Sequence, residues 1–545
     1  MKRECLPGRE GRIDLEPFMY LKPNAPAAAS AGKSVIGFNV IHGREVEGDL
    51  GMIESRSAVD RRDLVGMFPD SGEKDVTRAA KGALDALPAW SATPVRERAA
   101  LIQRIGDGLV AHQESFIKIL TREIGWTRAE AQHEIEDAIH TCRRVAAGER
   151  PVGHALPTHR PHRDLSLRRQ PVGVMGLLAA GSLPLALPAR KILSALLGGN
   201  TVVWKPSEDA PTVAYLFLRA MMEAGLPPGV VNTVNGRGRA ACGKHFLGAL
   251  DKGFFQAFSF AGSPTLGRTV GELCGRNHVP VSMDLGRKGP LIVLPDADLE
   301  QAVAIALQAA FTAGGQRGTG LSNILLPEAC AAEFSHSFQE AVNAFPVGNP
   351  LTDPDVTFGP MINGRFAEAF RLRWELGREE GAQLRCGGAQ WTEENRTDHV
   401  LGPINHGIYH QACVWDHVTP AMELFGAEAF GPSVNLVTVR DAEEALAIAR
   451  ELPPSHTASI FTWDRAWMER FKREVQATSL GINTWPEGRE AHLATGGHVI
   501  AQEIPSGQDG LSRWQTVVEQ GNGPLPVPVD GAASKKTTKT EWDEL

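Results

Sequence analysis

The stretch "PVGVMGLLAAGSLPLALPARKILSALLGGNTVVWKPSE", Pro171–Glu208, changes its periodicity twice. "PVGVMGLLAA" is a short apolar run, the pattern of a strand buried on both faces. "LPARKILSALLGG" carries apolar residues at helical spacing, and "NTVVWKPS" returns to a β-branched run. A strand, a helix and a second strand of these lengths make a crossover unit, because parallel neighbours cannot be joined by a tight turn. The alternation continues through the helix "APTVAYLFLRAMMEAG" and the strands "GVVNTVNG" and "AFSFAGS", with another helix from Pro264. This predicts a doubly wound parallel sheet.

A second region of the same character runs from Gly286 to about Ile482, with "PLIVLPDADLEQAVAIALQAAF" and "ILLPEACAAEFSHSFQEAV" as examples. Upstream, residues 73–148 read as helices with apolar positions three and four apart. "ERPVGHALPTHRPHRDLSLRRQP" (149–171) reads as a polar β-hairpin arm and "LSRWQTVVEQ" (511–520) as a terminal strand, both elements that pair with another subunit. Residues 1–33 and 521–545 lack periodicity and are expected to be a disordered arm and a flexible tail. The expected organisation is a dinucleotide-binding domain over 34–148 and 168–285, a catalytic-type α/β domain over 286–482, and oligomerisation elements over 149–167 and 483–520.

With 545 residues, 42% of them apolar and 22% charged, the chain has the composition of a soluble globular protein with more than one core. A net charge of −8 leaves no basic footprint for nucleic acid. The longest apolar stretch is broken by glycine and proline and predicts no membrane span. The seven cysteines (5, 142, 242, 274, 330, 386, 413) are scattered without paired spacing, which predicts reduced thiols, no zinc site and a cytoplasmic location. His159, His162, His406 and His410 read as surface histidines and not as metal ligands.

Two stretches carry binding chemistry. "VVWKPSE" (202–208) sets Lys205 and Glu208 just past a strand's C-terminal end, where open parallel sheets bind nucleotides and where both could hydrogen-bond ribose hydroxyls. "FAGSPTLGR" (260–268) runs strand, turn, helix; Gly262 allows close approach, and Ser263 caps a helix whose N-terminus favours pyrophosphate. Each alone is also the pattern of an ordinary strand exit or a capped turn.

Taken in order with "VSMDLGRKGPLIVLPDADL", "VGNPLTDPDVTFGPMI" and "EAFGPSVNLV", these motifs resemble the NAD(P)-dependent aldehyde dehydrogenase superfamily over roughly residues 35–520. The resemblance implies an aldehyde-dehydrogenase-like fold of two doubly wound α/β domains with a small β oligomerisation element. It implies NAD as cofactor, with NADP as the alternative, bound by Lys205, Ser207, Glu208, Gly262, Ser263, Gly267, Glu428 and Phe430. NAD is favoured because the Glu208 carboxylate would repel a 2′-phosphate.

The catalytic positions depart from the family. Its nucleophile motif G-Q-x-C reads Gly315-Gln316-Arg317-Gly318, which places a glycine at the thiol position of "FTAGGQRGTGLSNILL" (311–326). The oxyanion asparagine becomes Ser182, and the general-base glutamate becomes Asp284, with Arg287 placing a bulky cation near the cleft. "INTWPEGREAHLATGGHVIAQ" (482–502) replaces the family's glycine-rich C-terminal motif. Together these imply a dinucleotide-binding pseudoenzyme with a regulatory or scaffolding role. It would be a homo-oligomer, or a hetero-oligomer with an active relative. The alternative is an oxidoreductase that takes hydride directly from an aldehyde hydrate, hemiacetal or alcohol, with Asp284 as base and a small aldehyde or alcohol as substrate.

Overall fold

Short strands buried on both faces alternate with helices along most of the chain, and this alternation builds two large sheets. The computed structural model describes residues 20–21, 33–148, 153–156, 163–285, 287–427, 430–486 and 512–520. It divides into two compact units, one of residues 1–149 with 171–512 and one of residues 150–170 with 513–545.

In the larger unit, the first seven-stranded sheet runs in space Val281–Leu285, Ala257–Gly262, Val174–Leu178, Thr201–Lys205, Val231–Thr233, Asn39–Ile41, Arg44–Val46. The five strands from Val174 to Leu285 are parallel, with Val202 opposite Met175 and Ala261 opposite Asp284. Every residue of Val174–Leu178 and Thr201–Lys205 is buried, which is why their sequences are continuous apolar runs without alternation. Asn39–Ile41 and Arg44–Val46 close one edge in antiparallel fashion. The second seven-stranded sheet runs Gln383–Cys386, Cys413–Asp416, Ser433–Val439, Leu321–Pro327, Gly289–Val293, Ser455–Phe461, Ala477–Ile482. It is parallel apart from its first strand.

The helices Glu73–Ala92, Val95–Ala111, Gln113–Ile124 and Arg128–Ala147 occupy the region read as helical. They also cap other helices. The buried Glu134 carboxylate accepts from the backbone N–H groups of Leu185 (3.0 Å) and Ala186 (2.9 Å), at the start of the helix Ala186–Leu197. Glu123 does the same for Pro211–Glu223 through Thr212 and Val213, each at 3.0 Å. Neither helix has a side-chain cap of its own, so a carboxylate from a distant helix satisfies its first N–H groups and faces its positive end.

The expected disordered arm over 1–33 contains a strand, Tyr20–Leu21, antiparallel to Ser34–Ile36. Two residues are too few to show a period. The rest of 1–32 lies outside the described residues, as does 521–545. In the smaller unit, Gly153–Leu156 and Arg163–Pro171 pair antiparallel, and Ser512–Gln520 adds a third strand beside the latter. The expected break between residues 167 and 168 falls inside the strand Arg163–Pro171. Among the described residues no helix is long and apolar enough to cross a membrane.

Candidate active site

A cavity of about 410 Å³ opens where the C-terminal ends of the parallel strands meet the loop before Leu321. Ser182, Lys205, Ser207, Glu208, Gly262, Ser263, Asp284, Gly318 and Phe430 all line it, so residues far apart in sequence converge there. Gly267 does not. It lies buried in the helix Pro264–Arg276, where an added Cβ would come within 2.5 Å of Leu285 Cδ2, so close helix–strand packing requires a residue without a side chain there. Glu428 lies outside the described residues, as do His159 and His162.

On one side of the cavity, Lys205 ends its strand almost fully buried, and its Nζ donates to the Pro206 carbonyl at 2.9 Å. Glu208 accepts from the Gly238 N–H, and its other oxygen lies 3.9 Å from Arg365. Ser263 caps the helix Pro264–Arg276 by accepting from the Leu266 N–H at 3.3 Å. Asp209, also on the lining, holds Arg365 through two oxygens at 2.6 and 2.7 Å and accepts from Asn363 at 2.7 Å.

The loop leading to Gly318 is held in a conformation that most residues avoid. Ala313, Gly314 and Gly315 have φ of 55°, 62° and 64°. Gln316 fixes the loop, donating to the Ala313 and Pro360 carbonyls (3.1 and 3.2 Å) and accepting from the Ile362 N–H at 3.0 Å. Gly318 follows in the turn before the strand Leu321–Pro327, flanked on the cavity lining by Arg317 and Thr319.

Asp284 is not an open carboxylate. His456 Nε2, from the strand Ser455–Phe461 of the second sheet, sits 3.1 Å from Asp284 Oδ1, and both residues line the cavity. Burial opposes ionisation of Asp284, but the charge and hydrogen bond of His456, with Lys191 and Arg190 nearby, outweigh it. The carboxyl is held well below the usual carboxylate range. Arg287, expected to crowd the cleft, is absent from the lining and donates to the Gly426 carbonyl at 3.4 Å. His410, expected at the surface, packs edge-on against Phe370 (5.0 Å between centroids), and burial lowers its pKa to about 4.

None of the six described cysteines lines the cavity. Burial pushes the Cys142 thiol up to about 12 and those of Cys242, Cys274, Cys330 and Cys386 up to about 11, with Cys413 raised as well. Thiols so placed are inert at neutral pH.

A profile of the aldehyde dehydrogenase family matches residues 46–501. The chain belongs to the aldehyde dehydrogenase family. It is 31% identical to an alpha-ketoglutaric semialdehyde dehydrogenase of Bacillus subtilis, over 84% of this chain and 92% of that protein. It is 30% identical to a malonate-semialdehyde dehydrogenase of Halalkalibacterium halodurans, over 82% of this chain and 89% of that protein. The crystal structure of an NAD-dependent aldehyde dehydrogenase from Sinorhizobium meliloti superposes with a TM-score of 0.83 at 26% identity, covering 90% of this chain and 96% of that one. The fold is therefore the aldehyde dehydrogenase fold, and the cavity lies between its two sheets.

Sequence reasoning missed five residues that line the cavity of this aldehyde dehydrogenase: His456, Arg190, Arg317, Asp209 and Arg365. Arg317 had a signal, its place beside the glycine at the thiol position. A histidine inside the apolar strand "SHTASIF" was the only hint of His456, and Asp209 and Arg365 are 156 residues apart.

Proposed function

We propose that this chain is an aldehyde dehydrogenase family member that binds NAD in the cavity and does not carry out thioester-based aldehyde oxidation, serving as a regulatory or scaffolding pseudoenzyme. One observation carries the reading: Gly318 lies on the cavity lining and no described cysteine does. Without a thiolate the aldehyde carbon has no covalent anchor from which to pass hydride. Ser182 offers a rotating hydroxyl where a fixed donor is needed, and Asp284 is already engaged by His456. Support for NAD comes from the converging Lys205, Ser207, Glu208, Gly262, Ser263 and Phe430, and from the NAD dependence named for the Sinorhizobium meliloti structure. The first sheet with its helices (34–148 and 168–285) would hold the dinucleotide, and 286–482 would supply the other wall. The elements 149–167 and 483–520 would serve assembly, since the small three-stranded sheet has edges that need a partner.

The second reading, direct hydride transfer from an aldehyde hydrate, hemiacetal or alcohol, draws on the imidazole–carboxylate pair in the same cavity. Against it, a carboxyl held so far below its usual range is a weak proton acceptor.

The test is purified protein with NAD and a panel of aldehydes that includes semialdehydes, the substrates named for the relatives. Expected are thermal stabilisation by NAD, larger than by NADP, and no rise in reduced-nicotinamide absorbance. Sustained absorbance gain would overturn the pseudoenzyme reading, and its loss in Asp284→Asn would favour direct hydride transfer.

A further inference from the structure

Charged pairs reach across the cavity at two places. At one, Asp209, just past the strand Thr201–Lys205, holds Arg365 of the helix Gly364–Glu379 through two oxygens at 2.6 and 2.7 Å. At the other, His456 Nε2, on a strand of the second sheet, lies 3.1 Å from Asp284 Oδ1, on the edge strand Val281–Leu285 of the first. An arginine–carboxylate pair keeps both charges through the neutral range. A histidine–carboxylate pair does not, because an imidazole ordinarily changes charge at about pH 6.5.

His456 is the one histidine among the described residues on the lining, and no described cysteine lies there. The side chains of His456 and Asp284 are 11% and 15% exposed, so water and salt screen their attraction weakly. The other charges around the pair come from few elements. Asp284 feels Lys191 and Arg190, both on the helix Ala186–Leu197, and Lys191 Nζ donates to Ser282 Oγ at 3.1 Å. Arg317 lines the same cavity. The strands on either side of Ser455–Phe461, Gly289–Val293 and Ala477–Ile482, carry no charged residue, and neither does Ala257–Gly262 beside Asp284. Arg287 accepts from the His456 N–H at 3.2 Å with its carbonyl and turns its guanidinium to the Gly426 carbonyl.

We propose that the Asp284–His456 contact is a proton-operated clasp, in which the imidazolium holds the second sheet to the first and retains a bound dinucleotide, and the neutral imidazole lets it exchange. The charged pair is the stronger contact, because the attraction of opposite charges in a shielded site adds to the hydrogen bond. A neutral ring can still donate one N–H to the carboxylate, so the hold weakens without vanishing. Attraction favours the charged form of each partner. The full strength of the clasp is therefore present below the ordinary imidazole value and is lost as pH rises past it. If the stronger clasp favours the bound state, binding must take up protons over that same range. The clasp rests on the reading of a cavity that binds NAD and gives that binding a regulator, the proton.

The test is titration calorimetry of the full chain with NAD at about pH 5.5 and about pH 8.5, and at about pH 7 in two buffers of different ionisation enthalpy. Expected is affinity roughly three- to tenfold weaker at the higher pH, with uptake of part of a proton on binding near neutrality. His456→Gln should lose both the pH dependence and the proton uptake. His456→Arg, which keeps its charge, should hold the low-pH affinity at both values. Asp209→Asn should change affinity by the same factor at each pH. Unaltered pH dependence in His456→Gln would overturn the clasp, as would affinity that rises with pH in the unmodified chain. Should His456→Gln fail to fold, Asp284→Asn takes its place with the same expectation. Absence of NAD binding at both pH values would overturn the NAD reading instead, and the clasp is then decided without ligand. Coupling between Asp284→Asn and His456→Gln in urea denaturation that is larger at about pH 5.5 than at about pH 8.5 upholds it, and equal coupling overturns it.

Discussion

Replacing Gly318 by cysteine would put a thiol on the cavity lining, between Arg317 and Thr319. Its reactivity can be set against the native thiols. A thiol raised to about 11, as at Cys242, Cys274, Cys330 and Cys386, is ionised to about one part in a thousand at about pH 8. An ordinary thiol of pKa about 8.5 is ionised to about one quarter, and guanidinium groups nearby lower it further. Alkylation at position 318 should therefore exceed that of these four native thiols by at least about a hundredfold, read by peptide mapping after brief iodoacetamide treatment. Turnover should not follow. Hydride transfer from the new thiohemiacetal would lack a fixed oxyanion donor, a loss that typically costs ~2.7–4 kcal/mol, or about 10²–10³ in rate. Hydrolysis of the resulting thioester would need a base, and Asp284 is paired with His456 at 3.1 Å. With NAD and a semialdehyde, Gly318→Cys should give at most one equivalent of reduced cofactor per site, with an acyl adduct at residue 318 by mass. Sustained multiple turnover from this single change would refute the reading of a site degraded at three positions. Failure to alkylate would refute the placement of residue 318 on an open lining.

The Asp284–His456 pair should show a coupling of about 0.5–3 kcal/mol in a double-mutant cycle of Asp284→Asn and His456→Gln, measured by urea denaturation. Because the Asp284 carboxyl is held below its ordinary range, its contribution is present at neutral pH and is lost as pH falls below about 4; Asp284→Asn should flatten that part of the stability profile. Gly315→Ala should cost roughly 1–3 kcal/mol or more, since φ is 64° and a Cβ would sit 2.2 Å from the Gly431 carbonyl oxygen; an unchanged denaturation midpoint would contradict that geometry. Light scattering at micromolar concentration should report a dimer or a dimer of dimers, and a monomer mass would remove the assembly role given to 149–167 and 483–520.

The parts of this molecule that were legible in its sequence are those governed by local periodicity. The strand–helix–strand unit at Pro171–Glu208 announces itself because burial on both faces forces continuous apolar runs, and Val174–Leu178 and Thr201–Lys205 are indeed buried throughout. The edge strands Asn39–Ile41 and Arg44–Val46 carry three residues each and no such signal. Motif residues such as Lys205 and Ser263 sit at strand ends and helix caps, positions fixed by the local chain, so sequence order was enough to bring them to one cavity. Gly267 shows the limit of that logic. It belongs to the same helix as Ser263, yet its requirement comes from Leu285, at the far end of the strand that follows that helix. Pairings across the two sheets are the least legible, because nothing local in "SHTASIF" identifies Asp284 as the partner of His456.

That cross-sheet pairing changes what the position of the family's base does. Asp284 lies on an edge strand of the first sheet and His456 on a strand of the second, so their contact ties the two halves across the cavity. Elsewhere on the cavity lining Asp209, just past the strand Thr201–Lys205, holds Arg365 and Asn363 at the start of the helix Gly364–Glu379. A general base must leave its carboxylate open to water and near the pH of work. An ion pair that joins two sheets asks the reverse, a carboxyl that stays charged and does not move. On the proposed reading Asp284, held below its usual range, serves the second requirement and not the first. The one-methylene shortening from glutamate, the histidine from the opposite sheet and the glycine at the thiol position are therefore consistent with one another. On the proposed reading each takes a reactive group out of use, while the residues that would hold the dinucleotide still line the same cavity.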